Sequence, residues 1–375
     1  MTNATTLDPR HSPLSDAEKT AHIRRTVLAA GEELRARHPW LRHQSAIGAG
    51  IMLLSLTGML GTAYLYYLDV VAWYLCVPII AIFASFIHEL EHDLIHQMYF
   101  RKHPAINSFM LVLCWIARPS TVNPLRRRKL HLHHHKVSGT DSDLEERGIT
   151  NGSPWGLRRL LMTGDNMLAV YLRPQETLDM VKKFIAAQKP ADSKAYKALA
   201  WEQRLSYLPL GNLYYLAWHG LIAYYLVANI AAAIGSPLAL PAWGSSLLEV
   251  LNFLAVTLML PSFLRTFCIH FISSNMHYYG DVEAGNVMQQ TQVLNAWYLL
   301  PFQLFCFNFG STHAIHHFAV REPFYIRQWT ASTGHKVMRE MGVRFNDMAT
   351  FRRANRFHMA TAPTADSSAD AAASY

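Results

Sequence analysis

Four long apolar stretches separated by polar segments dominate the chain. They run from about residue 45 to 67, 70 to 87, 213 to 234 and 247 to 272. Each comes close to or exceeds the roughly 20 residues that an α-helix needs to cross the hydrocarbon core of a bilayer. Only Leu68 and Asp69 separate the first two stretches, and a segment rich in Gly, Pro and Ser joins the other two. The pattern therefore predicts two membrane-spanning helical hairpins.

Two of these helices are predicted to continue beyond the membrane. Residues 70 to 97 contain no glycine and a single proline, Pro78, so the second helix is expected to extend into the adjoining polar segment. The fourth helix is similarly expected to run on towards His277. Two shorter apolar segments, 106 to 117 and 302 to 309, are too short to span and are predicted to be interfacial or partly buried helices.

The placement of positive charge predicts the orientation. Of 34 lysines and arginines, 7 precede the first stretch, 18 lie between Arg101 and Arg204, and 8 follow the fourth. The connections within the two predicted hairpins contain none. By the positive-inside rule, both termini and the central segment are expected to be cytoplasmic.

Composition agrees with a membrane protein. Hydrophobic residues make up 51% of the chain and charged residues 16%, below the roughly 25% usual for a soluble domain. We expect a cytoplasmic N-terminal segment over 1–44, a membrane domain over 45–358 and a disordered tail over 359–375, which is rich in Ala, Ser, Thr and Asp. The four cysteines stand singly in apolar stretches, which argues against a zinc ribbon or a disulfide framework.

Ten of the 20 histidines are clustered in three places that this topology puts on the cytoplasmic side. His88 and His92 follow the second apolar stretch, and two HxxHH patterns occupy residues 131–135 and 313–317. We therefore predict an all-α integral membrane fold, with four transmembrane helices in two hairpins and a cytoplasmic helical cap that carries the histidine cluster.

This spacing predicts metal binding. Histidines at i and i+4 lie on one helix face, and many imidazoles gathered without a metal would lack partners or repel one another when protonated. Eight histidines exceed the needs of one four-coordinate zinc and suggest two ions of higher coordination number. The segment from His88 to His92 also matches the HExxH pattern of zinc proteases, with Glu89 as base, but that alternative leaves the other histidine groups unexplained.

The three histidine boxes, each after an apolar hairpin or a shorter apolar piece, resemble those of the membrane fatty acid desaturase and hydroxylase superfamily. The resemblance covers roughly residues 45 to 330. It implies a non-haem centre of two iron ions that activates O₂, and a ninth ligand, His277, just beyond the last span. Four residues before it, where the superfamily often has an asparagine, this chain has Ser273. The implied ligands are His88, His92, His131, His134, His135, His277, His313, His316 and His317.

Further polar residues near the boxes are candidates for additional ligation or for orienting the ligands. They are His96, His133, His270, Glu89, Asp141 and Asp143. Glu145 and Glu146 can equally be solvated surface residues.

The resemblance also implies the reaction class: oxidation of a fatty acyl chain that ends in a double bond, a hydroxyl group or loss of the carboxylate as CO₂. The first box, and the second box with its continuation to Asp143, look most like those of bacterial desaturase-like decarboxylases that form terminal 1-alkenes. Desaturation and hydroxylation remain alternatives. A decarboxylase needs a cation near the irons for the substrate carboxylate, and Arg321 and Arg265 are the candidates.

A membrane metal transporter is the alternative from another class of protein. Transporters place ionisable residues near mid-membrane. The apolar stretches here contain only His219, Glu249 and Arg265, which form no cluster in the sequence.

Expected partners follow from this interpretation. They are a fatty acid substrate, the lipid bilayer and a separate ferredoxin- or rubredoxin-type electron donor with its reductase, because the sequence has neither a cysteine cluster nor a GxGxxG motif. No nucleic-acid partner is expected. The resemblance to bacterial enzymes implies the bacterial inner membrane.

Overall fold

A computed structural model describes residues 14–358, and these residues form helices joined by turns and loops. The tail predicted over 359–375 lies outside the described residues. Two isolated β-bridges, His277–Thr291 and Val293–Phe345, occur in the described part of the chain. The α-helices are α1 (Asp16–Arg37), α2 (Gln44–Tyr67), α3 (Trp73–Ile95), α4 (Pro104–Ala117), α5 (Pro124–Val137), α6 (Leu144–Ile149), α7 (Leu157–Gly164), α8 (Asn166–Tyr171), α9 (Pro174–Ala187), α10 (Ser193–Arg204), α11 (Leu210–Ala233), α12 (Ala242–Leu254), α13 (Leu260–Met276), α14 (Val287–Gln290), α15 (Leu300–Leu304), α16 (Phe309–Phe318), α17 (Phe324–Trp329) and α18 (Ala331–Glu340).

Four helical segments of the described chain are long and apolar enough to cross a membrane. They are α2, α3, α11 and the continuous rod of α12 and α13, which spans Ala242–Met276. A single π-helical turn, Ala255–Met259, interrupts this rod. The four segments fit an integral membrane protein and fall where the apolar pattern predicts them. The helices α3 and α13 continue to Ile95 and Met276, so both run past the apolar stretches that the sequence predicts.

The helix α3 lies at the centre of the apolar helices. It packs against α2 on one side, against α13 on another and against α4 near its C-terminal end. Its buried face consists of small and branched residues such as Ala84, Ile87 and Leu94. This packing fixes the position of the last turns of α3, which carry polar side chains, relative to α2, α4 and α13.

The amphipathic helix α1 packs on the helices that follow α13. It begins with a capping box, in which Ser15 and Glu18 satisfy each other's backbone N–H groups. Its buried residues Ile23 and Val27 join the apolar cluster that contains Ile315 and Phe318 of α16. A buried ion pair, Arg35 to Glu322 at 2.8 Å, anchors its other end.

One predicted element differs from the structure. The apolar segment 302 to 309 is not one helix, because α15 ends at Leu304 and α16 begins at Phe309. Between them, Phe307 and Asn308 adopt left-handed conformations with φ of 48° and 57°. This break turns the chain, and α16 with the third histidine box starts in a new direction.

Candidate metal centre

The end of α3 contributes two histidines to the centre. His92 lies in the last turn of the helix and His96 is its C-terminal cap residue. The two are four positions apart, so both side chains leave the same face, one helical turn of about 5.4 Å from each other.

The helix α5 carries the second box. Asn123 caps its N-terminus by accepting a hydrogen bond from Leu125 N–H at 3.0 Å, and Pro124 occupies the first helical position, where no N–H is needed. The chain then turns at Gly139, whose φ is +82°. A side chain at this position would lie 2.7 Å from the Tyr278 carbonyl oxygen, so the close approach requires glycine.

The remaining histidines come from α13 and α16. The helix α13 ends at Met276, and His277 is already extended, with φ −92° and ψ 129°. At the start of α16, the Gly310 carbonyl accepts a hydrogen bond from Leu294 N–H at 2.8 Å. A Cβ at Gly310 would lie 2.8 Å from the Leu294 carbonyl oxygen, so this contact also needs glycine.

These four helices bring nine histidines together in two groups. We call the first the five-histidine group; its members are His92, His96, His131, His135 and His316. Four of its Nε2 atoms converge. His96 Nε2 lies 2.9 Å from His131 Nε2 and 3.0 Å from His316 Nε2. His135 Nε2 lies 3.1 Å from His131 Nε2 and 3.0 Å from His316 Nε2.

We call the second the four-histidine group; its members are His134, His277, His313 and His317, all buried. His317 Nε2 lies 3.4 Å from His277 Nε2 and 3.3 Å from His313 Nε2. Within each group one ligand atom per residue lies within 4.8 Å of every other.

Two pairs of sequence neighbours are divided between the groups. His134 belongs to the four-histidine group and His135 to the five-histidine group, and both are on α5. In α16, His316 belongs to the five-histidine group and His317 to the four-histidine group. The two groups are therefore joined by two rigid helices.

The arrangement fits two metal ions. In a neutral imidazole each nitrogen is either a donor or an acceptor, so at most two of the four Nε2–Nε2 contacts of about 3 Å can be ordinary hydrogen bonds. Two nitrogens bound at right angles to one ion at about 2.1 Å would lie about 3.0 Å apart, which is the spacing found here. Further nitrogens, including His92 Nε2 and His134 Nε2, are buried without a hydrogen-bond partner among the described residues.

Three carboxylates orient the ligand rings, and all three come from the segment that begins α6. Glu145 lies 2.7 Å from His131 Nδ1, Asp143 lies 2.9 Å from His134 Nδ1, and Glu146 lies 3.3 Å from His277 Nδ1. A carboxylate at Nδ1 holds the proton on that nitrogen and leaves the Nε2 lone pair for a metal. One short segment thus serves both groups.

The pKa shifts of three residues in the centre show which of them are charged. Burial raises the pKa of Glu146, but neighbouring His277 outweighs it and the pKa falls to about 2. Burial lowers the pKa of His96 to about 2, aided by neighbouring His131, so this imidazole is neutral and can ligate. For His134, burial lowers the pKa but the Asp143 carboxylate raises it to about 9, so without a metal this ring is protonated on both nitrogens at neutral pH, and metal binding would release the proton on Nε2.

The structure places three predicted histidines outside both groups. Arg118 Nη1 lies 3.1 Å from His88 Nδ1, and His88 faces this arginine, one turn before His92. His133 contacts Ser142 and Gln188 on the outer face of α5, and His270 Nδ1 lies 3.2 Å from the Thr163 carbonyl oxygen. His96 takes the position in the five-histidine group that the sequence pattern predicts for His88.

Of the three acidic residues predicted to orient metal ligands, one contacts a histidine of the two groups and two do not. Asp143 contacts a ligand ring as expected, whereas Asp141 is exposed and pairs with Lys183 at 2.6 Å. Glu89 is buried and pairs with Arg327 at 3.6 Å instead of with a histidine.

The two candidate carboxylate-binding arginines also differ. Arg321 is exposed in the turn after α16. Arg265 is buried in α13, where its Nη2 donates to Thr266 Oγ1 at 2.9 Å.

The carboxylates that contact His131 and His277 belong to Glu145 and Glu146. The sequence did not indicate whether these residues would contact a histidine or be solvated at the surface. Glu145 and Glu146 follow the second box by ten or more positions, and either could have been a solvated surface residue. The only signal was their proximity to the box, because their role depends on how the turn at Gly139 folds α6 back against α5 and α13.

The chain thus has two histidine groups that could each hold a metal ion and four helical segments long enough to cross a membrane, which is the combination expected of a membrane metalloprotein. A family model described as fatty acid desaturase matches residues 68–348, three quarters of the chain. The chain therefore belongs to the fatty acid desaturase family. No curated protein matches it closely enough to count as a relative.

Proposed function

We propose that the protein is a diiron oxidase of fatty acids, and that its most specific activity is oxidative decarboxylation of a free fatty acid to a terminal 1-alkene and CO₂. The supporting observation is the convergence of nine histidine nitrogens into two groups in a chain of the fatty acid desaturase family. When bound, two iron ions supply the reduction of O₂ that removal of hydrogen from an unactivated C–H bond requires.

In this proposal the ligands of one iron come from the five-histidine group and those of the other from the four-histidine group. His96 replaces His88 in the set that the sequence suggested. Glu145 and Asp143 hold the proton on Nδ1 of His131 and His134. For His277 Nδ1 the nearest acceptor is the Ser273 carbonyl oxygen at 2.9 Å, with Glu146 at 3.3 Å. The buried environment excludes water from the four-histidine group.

The overall reaction balances with external electrons. A free acid R–CH₂–CH₂–COO⁻, O₂, two electrons and three protons give R–CH=CH₂, CO₂ and two molecules of water. The C1–C2 bond breaks, a hydrogen leaves C3, and the new double bond forms between C2 and C3. A ferredoxin- or rubredoxin-type protein with its reductase would supply the electrons on the cytoplasmic side of the bacterial inner membrane.

Desaturation is the second candidate, and one observation favours it. With His96 in the five-histidine group, the first box reads His92-Asp93-Leu94-Ile95-His96, an HDxxH pattern of the kind found in ordinary bacterial desaturases. In that reaction the acyl chain loses two hydrogens from neighbouring carbons, and O₂, two electrons and two protons give two molecules of water.

The test is a product analysis. Protein purified in detergent and loaded with iron receives ferredoxin, its reductase, NADPH, air and lauric acid, and the products are separated by gas chromatography–mass spectrometry. 1-Undecene supports decarboxylation. Dodecenoic or hydroxydodecanoic acid without undecene contradicts it and supports desaturation or hydroxylation. Absence of any O₂-dependent product from iron-loaded protein contradicts the oxidase proposal itself.

A further inference from the structure

His88 is a buried hydrogen-bond donor that is not used by the rest of the chain. Its Nδ1 faces Arg118 Nη1 at 3.1 Å, and a guanidinium can only donate. Nδ1 is therefore the acceptor, and the neutral ring carries its proton on Nε2. This Nε2 is buried and has no hydrogen-bond partner among the described residues.

Arg118 holds His88 in this state. It is fully buried and forms an ion pair with Glu91, which also accepts from Arg127 Nη1 at 2.8 Å. Within the described structure Arg118 Nε remains without a partner, although it is buried. Arg118 thus offers a second unused donor close to His88.

Arg265 adds a third unused donor and an unmatched charge. It is buried in α13, which packs against α3, and has no carboxylate within ion-pair distance among residues 14–358. Its Nε has no partner there either.

Of Arg118, Arg127 and Arg265, only Arg265 has no ion pair among the described residues. Glu91 and Glu145 balance the positive charges of Arg118 and Arg127, with which they pair. The guanidinium of Arg265 is left over. Because an unpaired buried charge is costly, this excess favours binding of an anion.

The place of these donors relative to the metal centre suits a substrate head group. His88 is one helical turn, about 5.4 Å, from His92 of the five-histidine group. On the other side, the ring of Phe309 lies 5.9 Å from that of His88 and 4.0 Å from that of His313 of the four-histidine group. An anion at His88 would therefore lie next to both groups without reaching them.

We propose that His88, Arg118 and Arg265 form a binding site for the carboxylate of a free fatty acid, and that His88 is a substrate-binding residue and not a metal ligand. A carboxylate has four lone-pair positions and can accept from all three donors. The first carbons of the chain would then extend about one helical turn to the metal centre, which is the reach needed for reaction at C3. An acyl thioester or ester lacks the negative charge that Arg265 requires. This inference rests on the proposed function for its substrate class.

The test measures binding apart from catalysis. Full-length, iron-loaded protein under argon and without an electron donor is titrated with lauric acid and, separately, with methyl laurate. We expect Arg265→Met and His88→Phe each to weaken laurate binding by at least about tenfold, because each removes a donor to a buried charge. Methyl laurate binding should be weak in the wild type and unchanged in both variants. Arg265→Lys, which retains the charge, should recover part of the laurate affinity.

Iron content separates this site from the metal centre. His88→Phe should retain the wild-type ratio of iron to protein. Matched controls are Arg158→Met, which removes an exposed arginine paired with Glu176, and His133→Gln on the outer face of α5. Both should bind laurate as the wild type does.

Three outcomes would overturn the inference: equal binding of laurate and its methyl ester, wild-type laurate affinity in Arg265→Met, or loss of iron in His88→Phe. These outcomes differ from failure of the proposed function. A protein that binds laurate with the expected dependence but oxidises nothing retains the carboxylate site and loses the oxidase proposal. A protein that oxidises laurate equally well with Arg265→Met retains the oxidase proposal and loses this site.

Discussion

Glu145 Oε2 lies 2.7 Å from His131 Nδ1, and the same carboxylate accepts from Arg127 Nε at 2.9 Å. Glu145 thus connects a ring of the five-histidine group to the buried ion pairs that continue through Arg127 to Glu91. The ring of His131 has little freedom to rotate, and its Nε2 faces the position shared by the group.

Replacing this carboxylate should loosen the metal site. We expect Glu145→Gln to lower iron affinity or activity by about 10- to 100-fold, as is typical when a group that orients a metal ligand is lost. Iron per protein after dialysis against a weak chelator measures the effect. Glu176→Gln, which alters an exposed ion pair with Arg158, is the control. Equal iron retention in the two variants would show that Glu145 has no orienting role.

The choice between His88 and His96 as the partner of His92 in the five-histidine group can be tested by metal content. His96→Ala removes a member of the five-histidine group, so we expect about half of the bound iron to be lost under mild chelation. His133→Ala, on the opposite side of the second box, should retain all of it. Mössbauer spectra of ⁵⁷Fe-loaded protein would then show one iron environment in the first variant and two in the second. Full iron content in His96→Ala would remove this residue from the ligand set.

The two groups should also release metal at different rates. His96 and His135 are partly exposed, whereas all members of the four-histidine group are buried. A chelator should therefore extract one iron per chain quickly and the second slowly. Stopped samples analysed for iron by mass spectrometry would give a biphasic curve. Loss of both ions in a single phase would contradict the difference in accessibility.

Gly310 should be intolerant of even a methyl group. A Cβ there would meet the Leu294 carbonyl oxygen and Ile272 Cγ2, each at 2.8 Å, so α16 would have to shift. Because α16 carries histidines of both groups, we expect Gly310→Ala to reduce the occupancy of both ions, with a destabilisation of about 1–3 kcal/mol. Iron analysis and thermal unfolding in detergent measure the two effects.

Gly220 provides the matched control for this substitution. It lies within α11, and an added Cβ would meet no atom within 4 Å. Gly220→Ala should leave iron content unchanged and stabilise the helix slightly, by up to about 1 kcal/mol. If both variants behave alike, the close contact at Gly310 does not position the third box.

A buried ion pair connects α3 to the segment after the third box. Arg327 Nη2 lies 3.2 Å from Asp93 Oδ1 and 3.6 Å from Glu89 Oε2, and all three residues are buried. Arg327→Met would leave both acids without their cation, so we expect a loss of about 3–5 kcal/mol in the free energy of unfolding. Thermal unfolding in detergent would detect it, with exposed Arg321→Met as control. A wild-type melting temperature for Arg327→Met would refute this role.

The sequence predicted the apolar helices and most of the histidine centre because both depend on local patterns. Long apolar runs and the two HxxHH boxes are recognisable without knowledge of tertiary contacts. The first box is different. Helix counting puts His88, His92 and His96 on one face of α3. Only the depth of α3 relative to α5 and α16, and the presence of Arg118 beside His88, determine which of them joins a group.

The acidic residues show the same limit. Asp141 and Asp143 are two positions apart, yet one pairs with Lys183 at the surface and the other contacts His134. Their different roles follow from the turn at Gly139, which depends on contact with Tyr278, more than 130 positions along the chain. Such long-range contacts are not encoded in the spacing of residues within a box.

The division of His134 from His135, and of His316 from His317, has a mechanical consequence. The two histidines of each pair are joined by one peptide unit inside a hydrogen-bonded helix. Covalent geometry therefore sets the distance between the two metal positions at two points, one in α5 and one in α16. Neither position can drift from the other unless a helix unwinds. Any change in metal coordination during a reaction cycle must then come from rotation of the imidazole rings or from exchange of ligands that are not part of the chain. The backbone of the two helices keeps the spacing constant throughout.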